Sequence, residues 1–210
     1  MRTRVTFAKT EPMRFTSHLD LFRAWERTFR RAGLPILFSQ GYNPRPRMQL
    51  AAALPLGFTS SCEVIDVWLE DDAPQCSDMK SALIQFQPPG IEIQDVIEID
   101  PQAPPLQKQV LSAEYMVTLL DQMSQLSDRV TNIFRKDTLQ RERRGKPYDL
   151  RPLIEELYLI NQGEKEWQCL FMRLSAQEGK TGRPEEVLLA LDIPPESARI
   201  NRIRLIFDDQ

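Results

Sequence analysis

The order strand, helix, two or three strands, helix, strand can be read twice along this chain, once in each half. A chain patterned that way has few ways to bury its apolar faces. In the first half Arg2–Lys9 alternates as a strand and Ser17–Ala32 has helical period. Ile36–Ser39 and Arg47–Ala53 are predicted as strands around a Gly/Pro loop, and Glu63–Glu70 alternates apolar residues with acids. A helix is predicted over Cys76–Phe86, with Ser77 or Asp78 near its cap. Pro88-Pro89-Gly90 ends it, and Ile91–Ile99 follows as a strand.

The second half repeats the order. Ala113–Leu120 is a predicted strand, Gln122–Phe134 a helix and Asp137–Arg143 a strand. Ile154–Ile160 and Trp167–Leu174 form a predicted hairpin about a turn at 161–166, Arg183–Leu191 is a helix with Pro184 first, and Ile200–Phe207 closes as a strand. The expectation is an α+β fold of two tandem ferredoxin-like (βαββαβ-type) units, residues 1–100 and 112–210, with a linker at 101–111. The stretch DPQAPPLQKQ at 100–109, with three prolines, supplies most of that linker. The halves share an order of elements and no residue-level identity.

The densest chemistry lies between Met13 and Pro46. Ser17 is an N-cap residue with Asp20 three positions on, while Gly33 and Pro35 stop the helix. At about 100° per residue Leu21, Phe22, Trp25, Phe29 and Ala32 share one face, and Arg23, Arg27, Arg30 and Arg31 share the other. The second face suits phosphates; it is also what a solvated helix face with Asp20 and Glu26 as neighbours looks like. The loop Ser39-Gln40-Gly41-Tyr42-Asn43-Pro44-Arg45-Pro46-Arg47 is stiffened by two prolines and loses little entropy on binding. Arg45 and Arg47 beside Tyr42 suit backbone phosphates with a ring stacked nearby. A rigid crossover between two strands would read the same way.

Phe7-x-Lys9, Ser17-His18-Leu19-Asp20-Leu21, the run from Arg30 to Pro35, Ser39 to Pro46, and Leu54-Pro55-Leu56-Gly57 together resemble the radical-SAM-linked protein family. The match extends more thinly to Asp149-Leu150-Arg151-Pro152 and Gly182-Arg183-Pro184. That family is a domain of unknown function, fused behind a radical S-adenosylmethionine protein or encoded as a separate chain. The resemblance implies a radical enzyme as partner and a gene setting near ribonuclease and ribosomal-protein genes. It implies no defined activity.

Charge is segregated. Residues 1–50 hold 10 Lys/Arg against 3 Asp/Glu, a balance of +7, whereas residues 51–110 hold 2 against 10, a balance of −8. Any nucleic-acid contact should therefore be confined to patches and sensitive to salt. A second basic cluster, Arg135, Lys136, Arg141, Arg143, Arg144, Lys146 and Arg151 with Tyr148 among them, lies in the second half. There Arg141 and Arg143 share one strand face, an arrangement that also guards an edge strand against aggregation.

Cys62, Cys76 and Cys169 are too far apart for an iron–sulfur cluster and odd in number, which fits a reducing compartment. Radical chemistry would therefore belong to a partner. Gly179-Lys180-Thr181 lacks the glycine a phosphate loop needs five residues earlier, where Leu174 stands. The single histidine, His18, is too little for a usual metal cluster. With an unperturbed pKa of about 6.5 it could deprotonate a ribose hydroxyl, but the helical wheel sets it on the apolar face with Trp25 and Phe29.

The sequence thus predicts a cytoplasmic, membrane-free accessory module without catalysis, cofactor or metal of its own. It would bind structured RNA, or present another substrate, to a radical SAM partner. Arg23, Arg27, Arg30, Tyr42, Arg45 and Arg47 are the expected contacts, joined by Arg141, Arg143, Lys146 and Arg151. A metal-independent endoribonuclease using His18 and a protein-docking module are the alternatives.

Overall fold

The computed structural model describes residues 1–143, 145–160 and 167–208. Arg144 and the expected turn at 161–166 lie outside the described residues. The chain divides into two compact units, Met1–Gln109 and Val110–Gln210, each an α+β fold.

In the first unit β1 (Arg2–Lys9) is central. It pairs antiparallel with β3 (Phe58–Trp68) on one side and β4 (Ile91–Ile99) on the other, and β2 (Met48–Leu50) pairs with β3, giving the order β4-β1-β3-β2. This is the ferredoxin-like order expected from the pattern. Alternation along β1 turns Val5 and Phe7 toward α1 (His18–Arg31), where Phe7 meets Trp25 edge-on with centroids 4.7 Å apart. Leu21 and Phe29 of α1 complete this core together with Met79 and Leu83 of α2 (Cys76–Phe86).

Both ends of α1 follow the sequence signals. Ser17 Oγ accepts the Asp20 backbone N–H at 3.1 Å, and Gly33 takes φ +69° just beyond the last turn. The cap of α2 differs from expectation, because Gln75 precedes the helix and Asp78 falls inside its first turn. Gly90, which opens β4, has φ +92°, and a Cβ there would lie 2.7 Å from the Met13 backbone nitrogen.

Two further expectations in this unit change. Ile36–Ser39 forms no strand; it makes only isolated bridges, Ile36 to Leu69 and Phe38 to Pro46, because the surrounding prolines withhold ladder donors. The proline-rich stretch at 100–109 is held to the first unit rather than spanning free. Arg2 Nη1 donates to Ala103 O at 2.6 Å, the Leu106 N–H donates to Gln49 Oε1 at 2.9 Å, and Leu106 is buried at the start of α3 (Leu106–Gln109).

The second unit repeats the plan. Its central strand β5 (Val110–Leu119) pairs with β9 (Cys169–Gln177) and with β11 (Ala198–Phe207), and β8 (Ile154–Ile160) pairs with β9, so the order is β11-β5-β9-β8. Helix α4 (Leu126–Phe134) starts four residues later than the period suggested. Gln168 bonds both the N–H and the C=O of Met123, at 2.6 and 3.0 Å, and Gln125 is left-handed at φ 57°.

A hairpin of β6 (Gln140–Arg143) and β7 (Lys146–Asp149) is inserted between α4 and β8. The short strand β10 (Lys180–Thr181) then leads into α5 (Pro184–Ala190). Neither β7 nor β10 was foreseen, being too short to show a period.

Candidate nucleic-acid interface

Arg23, Arg27, Arg30 and Arg31 all stand exposed on the outer face of α1, opposite the buried Leu21, Trp25 and Phe29. Two acids share that face: Asp20 meets Arg23 at 3.2 Å and Glu26 meets Arg30 at 2.9 Å. Exposed pairs of this kind are worth about 0–1 kcal/mol, so they leave the guanidiniums available to a stronger anion. The Ser17 hydroxyl first, and Arg23 and Arg27 beyond it, hold the Asp20 carboxyl below its ordinary value.

The loop after α1 is closed on itself. Ser39 N donates to Arg45 O at 2.8 Å, Arg45 N donates to Ser39 Oγ at 3.0 Å, and Arg47 N donates to Leu37 O at 2.8 Å. Tyr42 and Arg45 project from this ring into solvent, Tyr42 completely. The Arg47 guanidinium lies 5.2 Å from the Trp68 ring centroid, and Arg2 lies 4.9 Å from the same ring. Tyr42, Arg45 and Arg47 therefore share one braced loop. Among the described residues no hydrogen bond or ion pair joins that loop to the arginines of α1.

His18 is half-buried at the first turn of α1, and among the described residues no hydrogen bond or ion pair engages its ring. Near it the chain exposes large apolar side chains: Phe15 at 76%, Leu19 at 69% and Leu56 at 60%. Phe15 lies beside Gly57, the residue after Leu56, whose O accepts from Arg14 Nε at 2.7 Å and whose N–H donates to Arg14 O at 3.0 Å. Sequence reading singled out neither Phe15 nor Leu19, since a loop aromatic and one exposed leucine carry no period.

The second basic cluster separates into parts. Arg141 lies 3.9 Å from Glu186, and Arg151 lies over the Phe134 ring at 4.7 Å, so both have partners within the unit. Arg135 and Lys136 line a different cleft, beside Arg129. Arg143 and Lys146 are register partners across the β6–β7 hairpin, and with Arg183 they line a cleft of about 390 Å³. Burial pushes the Tyr148 hydroxyl above its ordinary value and Glu186 adds to this, while Arg141, Arg183 and Arg143 oppose it.

In the sequence Arg183 only opens the helix predicted over Arg183–Leu191 and belongs to Gly182-Arg183-Pro184, whereas in the structure it precedes α5. Its position depends on Gly182, where a Cβ would lie 2.9 Å from Leu153 O. Among the described residues no group of three or more His, Cys, Asp or Glu side chains could hold a metal ion, and no helix is long and apolar enough to cross a membrane.

The fold and these surfaces define a tandem ferredoxin-like α+β protein with basic side chains and a tyrosine close together in sequence on each unit. The chain belongs to the family described as "uncharacterized protein conserved in bacteria" (DUF2344), which it matches over residues 2–184. No curated protein matches it.

Among solved structures it is similar to a Cbf5–Nop10–Gar1 complex, at 10% identity with a TM-score of 0.49, covering 99% of this chain and 50% of that one. It is also similar to an H/ACA RNP bound to a substrate RNA containing 2′-deoxyuridine, at 11% identity with a TM-score of 0.47, covering 99% and 49% of the two chains. An unknown protein from Galdieria sulphuraria is similar at 14% identity with a TM-score of 0.28, covering 98% of each chain. The chain spans about half the length of the first two of these.

Proposed function

We propose that this protein is a non-catalytic accessory module that binds structured RNA and presents it to a radical SAM partner. The observation that carries the reading is the braced loop: Tyr42 and Arg45 project from a backbone ring closed by the Ser39–Arg45 bonds, and Arg47 follows it with its guanidinium over the Trp68 ring. Groups ordered before binding lose little entropy when they engage a ligand. Two guanidiniums beside an exposed phenol ring suit consecutive phosphates with a base stacked between them. Arg23, Arg27 and Arg30 of α1 offer a second basic row in the same unit.

The test is binding of labelled transfer RNA and ribosomal RNA fragments by wild type and by the Arg45→Glu, Arg47→Glu double variant. Loss of affinity of about tenfold or more is expected, since charge reversal replaces attraction by repulsion at two phosphates. Unchanged affinity for every RNA refutes the assignment.

The exposed Phe15, Leu19 and Leu56 favour a second reading, in which this end of the first unit docks on a protein. Co-purification of a partner that survives nuclease treatment and is lost in Phe15→Ser, Leu56→Ser supports it. Both readings leave the radical chemistry to the partner.

A further inference from the structure

The cleft of the second unit combines features that no part of the loop reading uses. Arg143 and Lys146 reach it from facing strands of the hairpin, and Arg183 reaches it from the residue before α5. Among the described residues no carboxylate lines it and none of these three cations makes an ion pair. The neighbouring acid Glu186 is instead placed at Arg141.

Three like charges converging on one cleft repel each other, and an anion bound among them relieves that repulsion. Arginine's planar fork matches phosphate oxygens two at a time, and lysine adds a point charge. Tyr148, Pro147 and Leu153 supply ring and hydrocarbon to the remaining walls, which Thr181 and Gly179 complete. The volume of about 390 Å³ falls in the range of small-molecule sites.

We propose that this cleft binds the phosphate ester of a nucleotide. Arg143, Lys146 and Arg183 hold the phosphate, and the ring of Tyr148 with Leu153 receives the base. The ester belongs either to a free nucleotide or to the 5′-phosphate end of an RNA. The site goes beyond the RNA-module reading, because it needs none of Tyr42, Arg45 or Arg47.

Calorimetric titration of the full chain with adenosine 5′-monophosphate, with adenosine and with inorganic phosphate tests it. The expected result is saturable binding of the monophosphate, with adenosine weaker by about tenfold or more. Arg183→Gln and Lys146→Gln should each weaken the monophosphate by about tenfold, as loss of one charge-assisted contact implies. Lys146 is exposed on the hairpin, so its variant tests the site without disturbing the core.

Displacement of the monophosphate by a 5′-phosphorylated but not a 5′-hydroxyl oligonucleotide supports the site and assigns it to RNA ends. Displacement by neither supports it as a free-nucleotide site. No binding of the monophosphate, binding equal to that of adenosine, or binding unchanged in both variants overturns the inference. The Arg45→Glu, Arg47→Glu protein should retain the monophosphate, so failure here and failure of the RNA-module reading are read separately.

Discussion

Arg4 and Asp66 face each other directly across β1 and β3, with Arg4 Nε donating to Asp66 Oδ1 at 2.8 Å. Arg2 Nη2 donates to the other oxygen of the same buried carboxylate at 2.6 Å and to Pro104 O at 3.0 Å, while Arg2 Nη1 donates to Ala103 O at 2.6 Å. The equivalent strand pair of the second unit, β5 and β9, sets Glu114 opposite Arg173 at 2.6 Å, with the charges inverted. In each unit an ion pair thus joins the central strand to its neighbour, and in the first Arg2 also ties the stretch at 103–104 down.

Removing the carboxylate in Asp66→Asn leaves two guanidiniums short of their counter-charge. Breaking a buried pair from one side costs roughly 3–5 kcal/mol, and the unfolding midpoint in urea should fall accordingly. Glu114→Gln should cost less, because Arg173 is partly exposed and keeps Glu156 as a partner. Equal losses in the two variants would contradict this account.

The fold was legible where the pattern was long. Arg2–Lys9, the helix from Ser17, Cys76–Phe86 and Ile91–Ile99 have enough residues for alternation or helical period to show, and the α+β order followed from them. What could not be read depended on distant contacts. Nothing local in Gln122–Gln125 announces that Gln168 will bond Met123 and delay α4. The ten residues from Asp100 have a linker's composition, yet the buried Leu106 and the reach of Arg2 fix them. The same holds for the candidate sites: Tyr42, Arg45 and Arg47 are neighbours in sequence and were visible together, whereas Arg183 joins Arg143 and Lys146 only through the fold.

The Ser17 cap serves both the backbone and a side chain, accepting the Asp20 N–H and donating to the Asp20 carboxylate at 2.7 Å. Ser17→Ala should destabilise the protein by about 1 kcal/mol, the usual effect of removing such a cap. The Asp20 carboxyl, now held below its ordinary value, should titrate higher in the variant, as carbon-detected NMR can follow. Because the native value is depressed, the stabilising contribution is present above the unfolded value of 3.8 and is lost as pH falls through the native one.

Glu185 has the opposite sign. Burial is the main cause that pushes its carboxyl above the ordinary 4.5, with Glu186 adding and Arg183 opposing, and its Oε2 is buried without a hydrogen-bond partner. The protonated form is favoured by folding, so that stability is full below 4.5 and is lost as pH rises through the native value. Glu185→Gln should therefore raise the melting temperature near neutral pH and have little effect near pH 4. A variant that melts lower at neutral pH would show that the carboxylate has a compensating partner.

Contact between the loop of the first unit and RNA phosphates, as proposed, is read from the slope of log K against log salt for transfer RNA binding, measured by fluorescence anisotropy for wild type and for Arg45→Ala, Arg47→Ala. Each phosphate neutralised contributes roughly 0.7–0.9 to that slope, so the variant's slope should be shallower by about 1–2. Identical slopes for the two proteins, or no RNA binding at low salt, would contradict the account and move the arginine-bearing face to a protein partner.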